Sequence, residues 1–193
     1  EAVISSCSGK ELLNNQHALD LLDKPCILVK GKGSMDVPFD NALRIFKTKN
    51  LLEDAQKAYS EMLPEGEEPN FVIQHVSSNQ YAYVNRKDEK CEIRELVRRV
   101  KDGKEVTLVY YTEGERWFGD FESLTHVRAF RSPAGKLGYE VKVYCYPHNK
   151  TARFFARLFR VVNIYFKKKT REVTGILENI AFYLHEQENR QDI

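Results

Sequence analysis

TARFFARLFRVVNIYFKKKTREVTGILENIAFYLHE, residues 151–186, is the stretch on which the fold turns. Phe155, Phe159, Val162, Phe166, Val173, Leu177, Ile180 and Leu184 recur mainly at three- and four-residue steps, which sets them along one face of a helix. An apolar stripe of that length needs a broad surface to lie on. The segments ahead of Pro147 supply one, because they read as successive strands. The expected fold is therefore α+β, with a bent antiparallel sheet, one long C-terminal helix laid across it and room for a cavity between the two.

The strands are read from their two-residue period and their turn residues. Residues 137–146 alternate cleanly: Tyr139, Val141, Val143 and Cys145 share one face, Glu140, Lys142, Tyr144 and Tyr146 the other, and the first set is the better inner face. Residues 118–131 form a preceding strand, joined through Ser132, Pro133, Ala134 and Gly135. Residues 105–112 form another, and 71–76 with 81–84 a hairpin around Ser77, Ser78 and Asn79. Residues 26–34 make the first strand, whose glycines permit a bend, followed by a turn at Asp36, Val37 and Pro38. Two short helices follow, one from Phe39 and one over 51–62, and a helix is also expected between Ser8 and Leu22, stopped by Pro25.

Residues 89–100 pull two ways. Ile93, Leu96, Val97 and Val100 have helical spacing, with Asp88 placed as a cap and Gly103 beyond the end. As a strand the segment alternates poorly and carries Glu92, Arg94, Glu95, Arg98 and Arg99. Local signals favour helix, against which tertiary context can still prevail.

With 193 residues and 42% hydrophobic content the chain suits one well-buried core. The expected division is an N-terminal extension or helical arm over 1–25, one domain over 26–188 and a short tail over 189–193. Thirty Lys plus Arg against 28 Asp plus Glu leave a net charge of +2, which argues against a nucleic-acid partner. Arg157, Arg160, Asn163 and Lys167 to Lys169 interrupt the most apolar stretch, so no membrane-spanning helix is expected and the chain reads as soluble. Cys7, Cys26, Cys91 and Cys145 include no CxxC pair and no cluster with histidine spacing, so neither a metal site nor a cofactor is expected. Their even number permits disulfides in an oxidising compartment and equally suits a reduced protein. Val3, Ile4, Ser5 and Ser6 ahead of Cys7 look like a bacterial lipid-attachment tetrapeptide, which leans the location towards extracytoplasmic.

The order of elements resembles the START-like superfamily, also called SRPBCC or helix-grip proteins. Val29 through Pro38 to Leu43 looks like that family's opening strand, proline turn and first helix, and Gly138 to Pro147 followed by residues 151–186 looks like its last strand and gripping helix. The resemblance implies a sheet of about seven strands around an apolar pocket, and binding or transport of lipids, sterols, quinones or polyketides, with a minority of cyclases. A helix over 89–100 would depart from that pattern by interrupting the sheet.

The residues set forward as ligand-binding follow from this picture. Phe155, Phe159, Val162 and Phe166 on the long helix and Tyr139, Val141 and Val143 on the last strand would line the pocket, or else simply fill a core. Trp117, beside Phe118 in a loop, would cover the mouth or touch a membrane interface, or fold back on the sheet. Arg153, Arg157, Arg160 and Lys167 to Lys169 make one helix side basic, either a solvated face or a peripheral contact with anionic headgroups. His126 and Arg128 lie two apart on a strand and face one side; inward they would polarise a ligand carbonyl, and outward, the reading favoured, they would be solvent decoration. No catalytic residue is assigned: the histidines are scattered and no serine sits in a nucleophile elbow. The leading expectation is a non-enzymatic carrier of a hydrophobic, lipid-like molecule. A polyketide cyclase or aromatase using His126, Arg128 or Tyr139, and an interaction module with a filled core, are the alternatives.

Overall fold

A computed structural model of the protein describes residues 15–116 and 119–151. The long helix expected beyond Thr151 lies outside the described residues, as do Trp117 and the first fourteen residues. The described chain runs α1 (Gln16–Asp23), β1 (Ile27–Pro38), α2 (Phe39–Phe46), α3 (Leu51–Glu61), β2 (Phe71–Ser77), β3 (Gln80–Asn85), β4 (Lys90–Lys101), β5 (Glu105–Arg116), β6 (Gly119–Arg131) and β7 (Lys136–Pro147). The seven strands form one open antiparallel sheet in the order β1-β7-β6-β5-β4-β3-β2. Among the described residues no helix is long and apolar enough to cross a membrane.

Strand pairing sorts every side chain to one of two faces, because partners opposite one another point the same way. On the inner face Val106, Leu108 and Tyr110 of β5, Ala129 of β6 and Leu137 of β7 pack with Met35 and Val37 of β1 and with Phe39, Ala42, Leu43 and Leu51 of α2 and α3. On the outer face Val97, Val109, Tyr111 and Leu124 receive Ala18 and Leu21 of α1. α1 is thus packed on the sheet. Asn15 caps it, its side-chain oxygen accepting from the Ala18 N–H at 3.0 Å, and Lys24 beyond its end pairs with Glu122 of β6 at 2.6 Å.

Residues 89–100 are strand, not helix. The reason is a β-bulge: pairing with β5 runs Ile93 to Thr112 and Glu95 to Tyr110, then resumes at Val97 to Val109 and Arg98 to Leu108. The extra residue lets Leu96 and Val97 both meet the outer cluster, while Ile93 and Val100 join the inner one. Two alternating runs joined out of phase place apolar residues at 93, 96, 97 and 100, which is helical spacing produced by a strand. The supposed caps are hairpin turns. Asp88 turns β3 into β4, and Asp102 with Gly103 turns β4 into β5, all three with positive φ. A second expectation also shifts: Asp36, Val37 and Pro38 belong to β1 rather than to a turn after it, and the chain enters α2 directly from Pro38.

The sheet's far edge is closed by α3. Gln56 accepts a hydrogen bond from the outward-pointing Ile73 N–H at 3.1 Å, and Tyr59 stacks on Phe71 with centroids 5.1 Å apart. Closer to the centre, β4 crosses hard against β5 at Gly114. A Cβ there would stand 2.7 Å from the Cys91 Cα and closer still to the Lys90 carbonyl oxygen. Backbone atoms held by a strand ladder cannot step aside, so Gly114→Ala should cost about 1–3 kcal/mol of stability in urea unfolding. An unchanged midpoint would show that the strands part freely at this point.

Candidate functional site

The inner face between the two helices and the β1 edge is built in rows. One row reads Gly31, Val141, Val127, Leu108 and Arg98 across β1, β7, β6, β5 and β4; the next reads Val29, Val143, Thr125, Tyr110 and Glu95. Val127, Tyr139 and Val141 remain partly exposed although Val106, Leu108, Ala129 and Leu137 around them are buried. Tyr139 leans towards the edge over Gly33, where a Cβ would meet its ring at 2.8 Å. The outcome is an apolar floor that begins at the β1 edge and ends, four strands away, at two charged residues.

Those residues, Glu95 and Arg98, face inward because the bulge reverses the alternation between them. Arg98 grips the Glu95 carboxylate with two donors, at 2.8 and 2.5 Å, and donates a third hydrogen bond to the Thr48 carbonyl in the α2–α3 connection. The Tyr110 hydroxyl donates to the same carboxylate at 3.2 Å. Burial first, then the nearby Glu95 charge, pushes the Tyr110 phenol far above its ordinary range. Tyr81 of β3 stands beside this group, only 1% exposed, and its phenol is also raised, by burial first and then by Glu95. Its ring meets His75, while its hydroxyl makes no hydrogen bond among the described residues.

The far end of the same face is occupied by Arg116. Its guanidinium lies 4.8 Å from the Tyr83 ring centroid and 5.9 Å from that of Phe121, and it pairs with Glu89 at 3.3 Å. Tyr83 in turn stacks on Phe71 at 5.5 Å.

Of the residues put forward from sequence, Tyr139, Val141 and Val143 share the inner face. His126 and Arg128 do not join them, since in register they stand opposite Lys142 and Glu140 on the outer face. Arg128 is engaged there by Glu105 at 2.6 Å and Glu140 at 3.5 Å. His126 is buried, and burial, with Lys142 and Arg128 nearby, lowers its pKa and keeps it neutral. Of the three polar groups named for a cyclase, only Tyr139 faces the floor. Phe155, Phe159, Val162, Phe166 and Trp117 lie outside the described residues. Glu95, Arg98, Tyr81 and Tyr110 were missed because the segment carrying the first two reads as a helix. The signal was present in the clash of phase between Ile93-x-Glu95 and Arg98-x-Val100.

Among the described residues no group of histidines, cysteines and carboxylates is placed to hold a metal ion. Cys26, Cys91 and Cys145 are free thiols. Burial raises all three, Cys26 to about 11, and so disfavours the reactive thiolate. Ellman's reagent at pH 8 should therefore label them slowly in the native protein and fully after unfolding. Because the raised groups bind protons more tightly in the folded state, their contribution to stability is full below the ordinary thiol range. It falls as pH climbs towards 11. Rapid native labelling of Cys145 would contradict its burial.

The described chain is α+β, with an open seven-strand antiparallel sheet and two helices between its first two strands, a fold similar to that of Bet v 1-like proteins. By structure it is similar to Ara h 8.0201, a Bet v 1-like member of the START/SRPBCC superfamily, with a TM-score of 0.53 at 10% identity over 83% of this chain and 99% of that one. It is likewise similar to a hypothetical protein from Helicobacter pylori, with a TM-score of 0.52 at 12% identity over 78% of this chain and 85% of the other. A conserved protein from Geobacillus kaustophilus gives 0.50 at 10% identity, over 83% and 96%. Identities this low establish a shared fold and nothing finer. No protein-family model matches the chain, and no curated protein matches it by sequence.

Proposed function

We propose that the protein binds and carries a hydrophobic, lipid-like small molecule on the inner face of its sheet, with Tyr139, Val141 and Val143 as floor and Phe155, Phe159, Val162 and Phe166 as cover. The observation that carries this reading is the partly exposed apolar patch of Val127, Tyr139 and Val141 amid buried neighbours. Apolar surface left accessible on a face otherwise packed with helices is where a ligand gains most by displacing water. The fold it shares with a Bet v 1-like protein supports the same reading.

Native mass spectrometry of the purified protein, before and after incubation with a mixed lipid extract, tests it. A one-to-one hydrophobic adduct released by organic solvent is the expected result; a mass that stays bare under both conditions removes the proposal. Val141→Asp should weaken uptake at least tenfold, since a carboxylate would be desolvated under the ligand, while leaving the circular dichroism spectrum unchanged.

A further inference from the structure

We infer that Tyr81, Glu95, Arg98 and Tyr110 form a headgroup subsite for a neutral, hydroxyl-bearing end of the bound molecule, and that the subsite discriminates against carboxylate ends. This inference rests on the carrier reading above.

Three observations converge on it. The rows that start at Val141 and Val143 end at Arg98 and Glu95, three strand spacings or roughly 14 Å away at about 4.8 Å each, with the buried Leu108 and Tyr110 between. The pair is incompletely used. Arg98 has five N–H donors, of which Glu95 and Thr48 take three, and the Glu95 carboxylate, with about four acceptor positions, receives two bonds from Arg98 and one from Tyr110. Both side chains are 16% exposed, so the remaining donors and acceptor are reachable. Beside them Tyr81 is 1% exposed with a hydroxyl that has no hydrogen-bond partner among the described residues, an arrangement native proteins rarely leave without a reason.

The charge arithmetic decides which headgroup fits. Arg98 and Glu95 cancel, so the site offers no net attraction to an anion, and Glu95 repels one at close range. A hydroxyl can accept from Arg98 or Tyr81 and donate to Glu95 at the same time, which suits the leftover donors and acceptor. A carboxylate has only acceptors and would leave the last Glu95 position unused while losing its own water shell.

The test uses the full chain and an apolar fluorescent hydrocarbon, diphenylhexatriene, displaced by dodecan-1-ol or by dodecanoate at submicellar concentration. The alcohol should displace the reporter at least tenfold more effectively than the carboxylate. Tyr81→Phe, which removes one hydroxyl and no volume of note, should lower the preference for the alcohol over dodecanoate about threefold to tenfold, the value of one hydrogen bond. Glu95→Gln leaves Arg98 uncancelled and should reverse the preference towards dodecanoate. If dodecanoate competes as well as the alcohol in the unaltered protein, or if neither substitution moves the ratio, the subsite is wrong while carriage stands. If diphenylhexatriene does not bind at all, the carrier reading fails and takes the subsite with it.

Discussion

Phe39→Ala should destabilise the protein by about 3–5 kcal/mol, the range for emptying a fully buried aromatic site, and lower the melting temperature by roughly 10 °C or more. Phe39 is the first residue of α2 and is 0% exposed. It sits where three elements meet. It belongs to one buried cluster with Met35, Val37, Ala42, Leu43, Val106 and Leu137, its N–H donates to the Gly135 carbonyl of the β6–β7 turn at 3.0 Å, and the Arg131 guanidinium lies 5.3 Å from the centre of its ring. Arg131 also pairs with Asp40 one residue on. A truncation here opens a cavity that neither the strand ladder nor the short helix can collapse into. The same cluster closes one end of the apolar floor, so a loosened α2 should also weaken the retention of any bound hydrocarbon. Thermal unfolding with and without diphenylhexatriene reads both effects; a loss below about 1 kcal/mol would mean the site repacks freely.

The parts of the fold legible in the sequence are those where one local rule acts alone. Residues 136–147 alternate without interruption, so strand, face and inward set could all be read off, and Tyr139, Val141 and Val143 do lie together on the inner face. The two helices after β1 were visible from Pro38 and from the apolar spacing of Leu51, Leu52, Ala55 and Ala58. Reading failed where two rules share one signature. Asp before a helix and Gly after one are capping signals and are also hairpin-turn residues, so Asp88 and Gly103 framed β4 as if it were a helix. A bulge adds one residue to a two-residue period, so Ile93, Leu96, Val97 and Val100 imitate a helical face. The polar end of the candidate site fell in that same segment and was lost with it. His126 and Arg128 show a different limit: alternation proves that two residues share a face without saying which face it is, and only the pairing of β6 with β5 and β7 puts them outside.

Leu21→Ala should cost about 2–5 kcal/mol while leaving ligand uptake at its original strength. Leu21 is 0% exposed on α1, on the opposite side of the sheet from the floor, where with Ala18 it covers Val97, Val109, Tyr111 and Leu124. An open sheet with apolar residues on both faces cannot leave either one wet, since Val109 and Leu124 are as fully buried as Val106 on the inner side. The helix is short and its hold is local: the Asn15 cap, the ion pair from Lys24 to Glu122, and the Cys26 thiol donating to the Leu21 carbonyl at 3.2 Å. Most of its binding must then come from Ala18 and Leu21, and removing one of two anchors should be felt by the whole sheet. A strand is too thin to insulate its faces completely, because Val143 and Tyr144 are neighbours on the chain. The two readouts nevertheless separate. A stability loss with unchanged diphenylhexatriene affinity, measured below the new melting temperature, assigns α1 to folding alone. A parallel fall in affinity in protein that remains folded would instead show that the outer helix sets the curvature on which the inner floor depends.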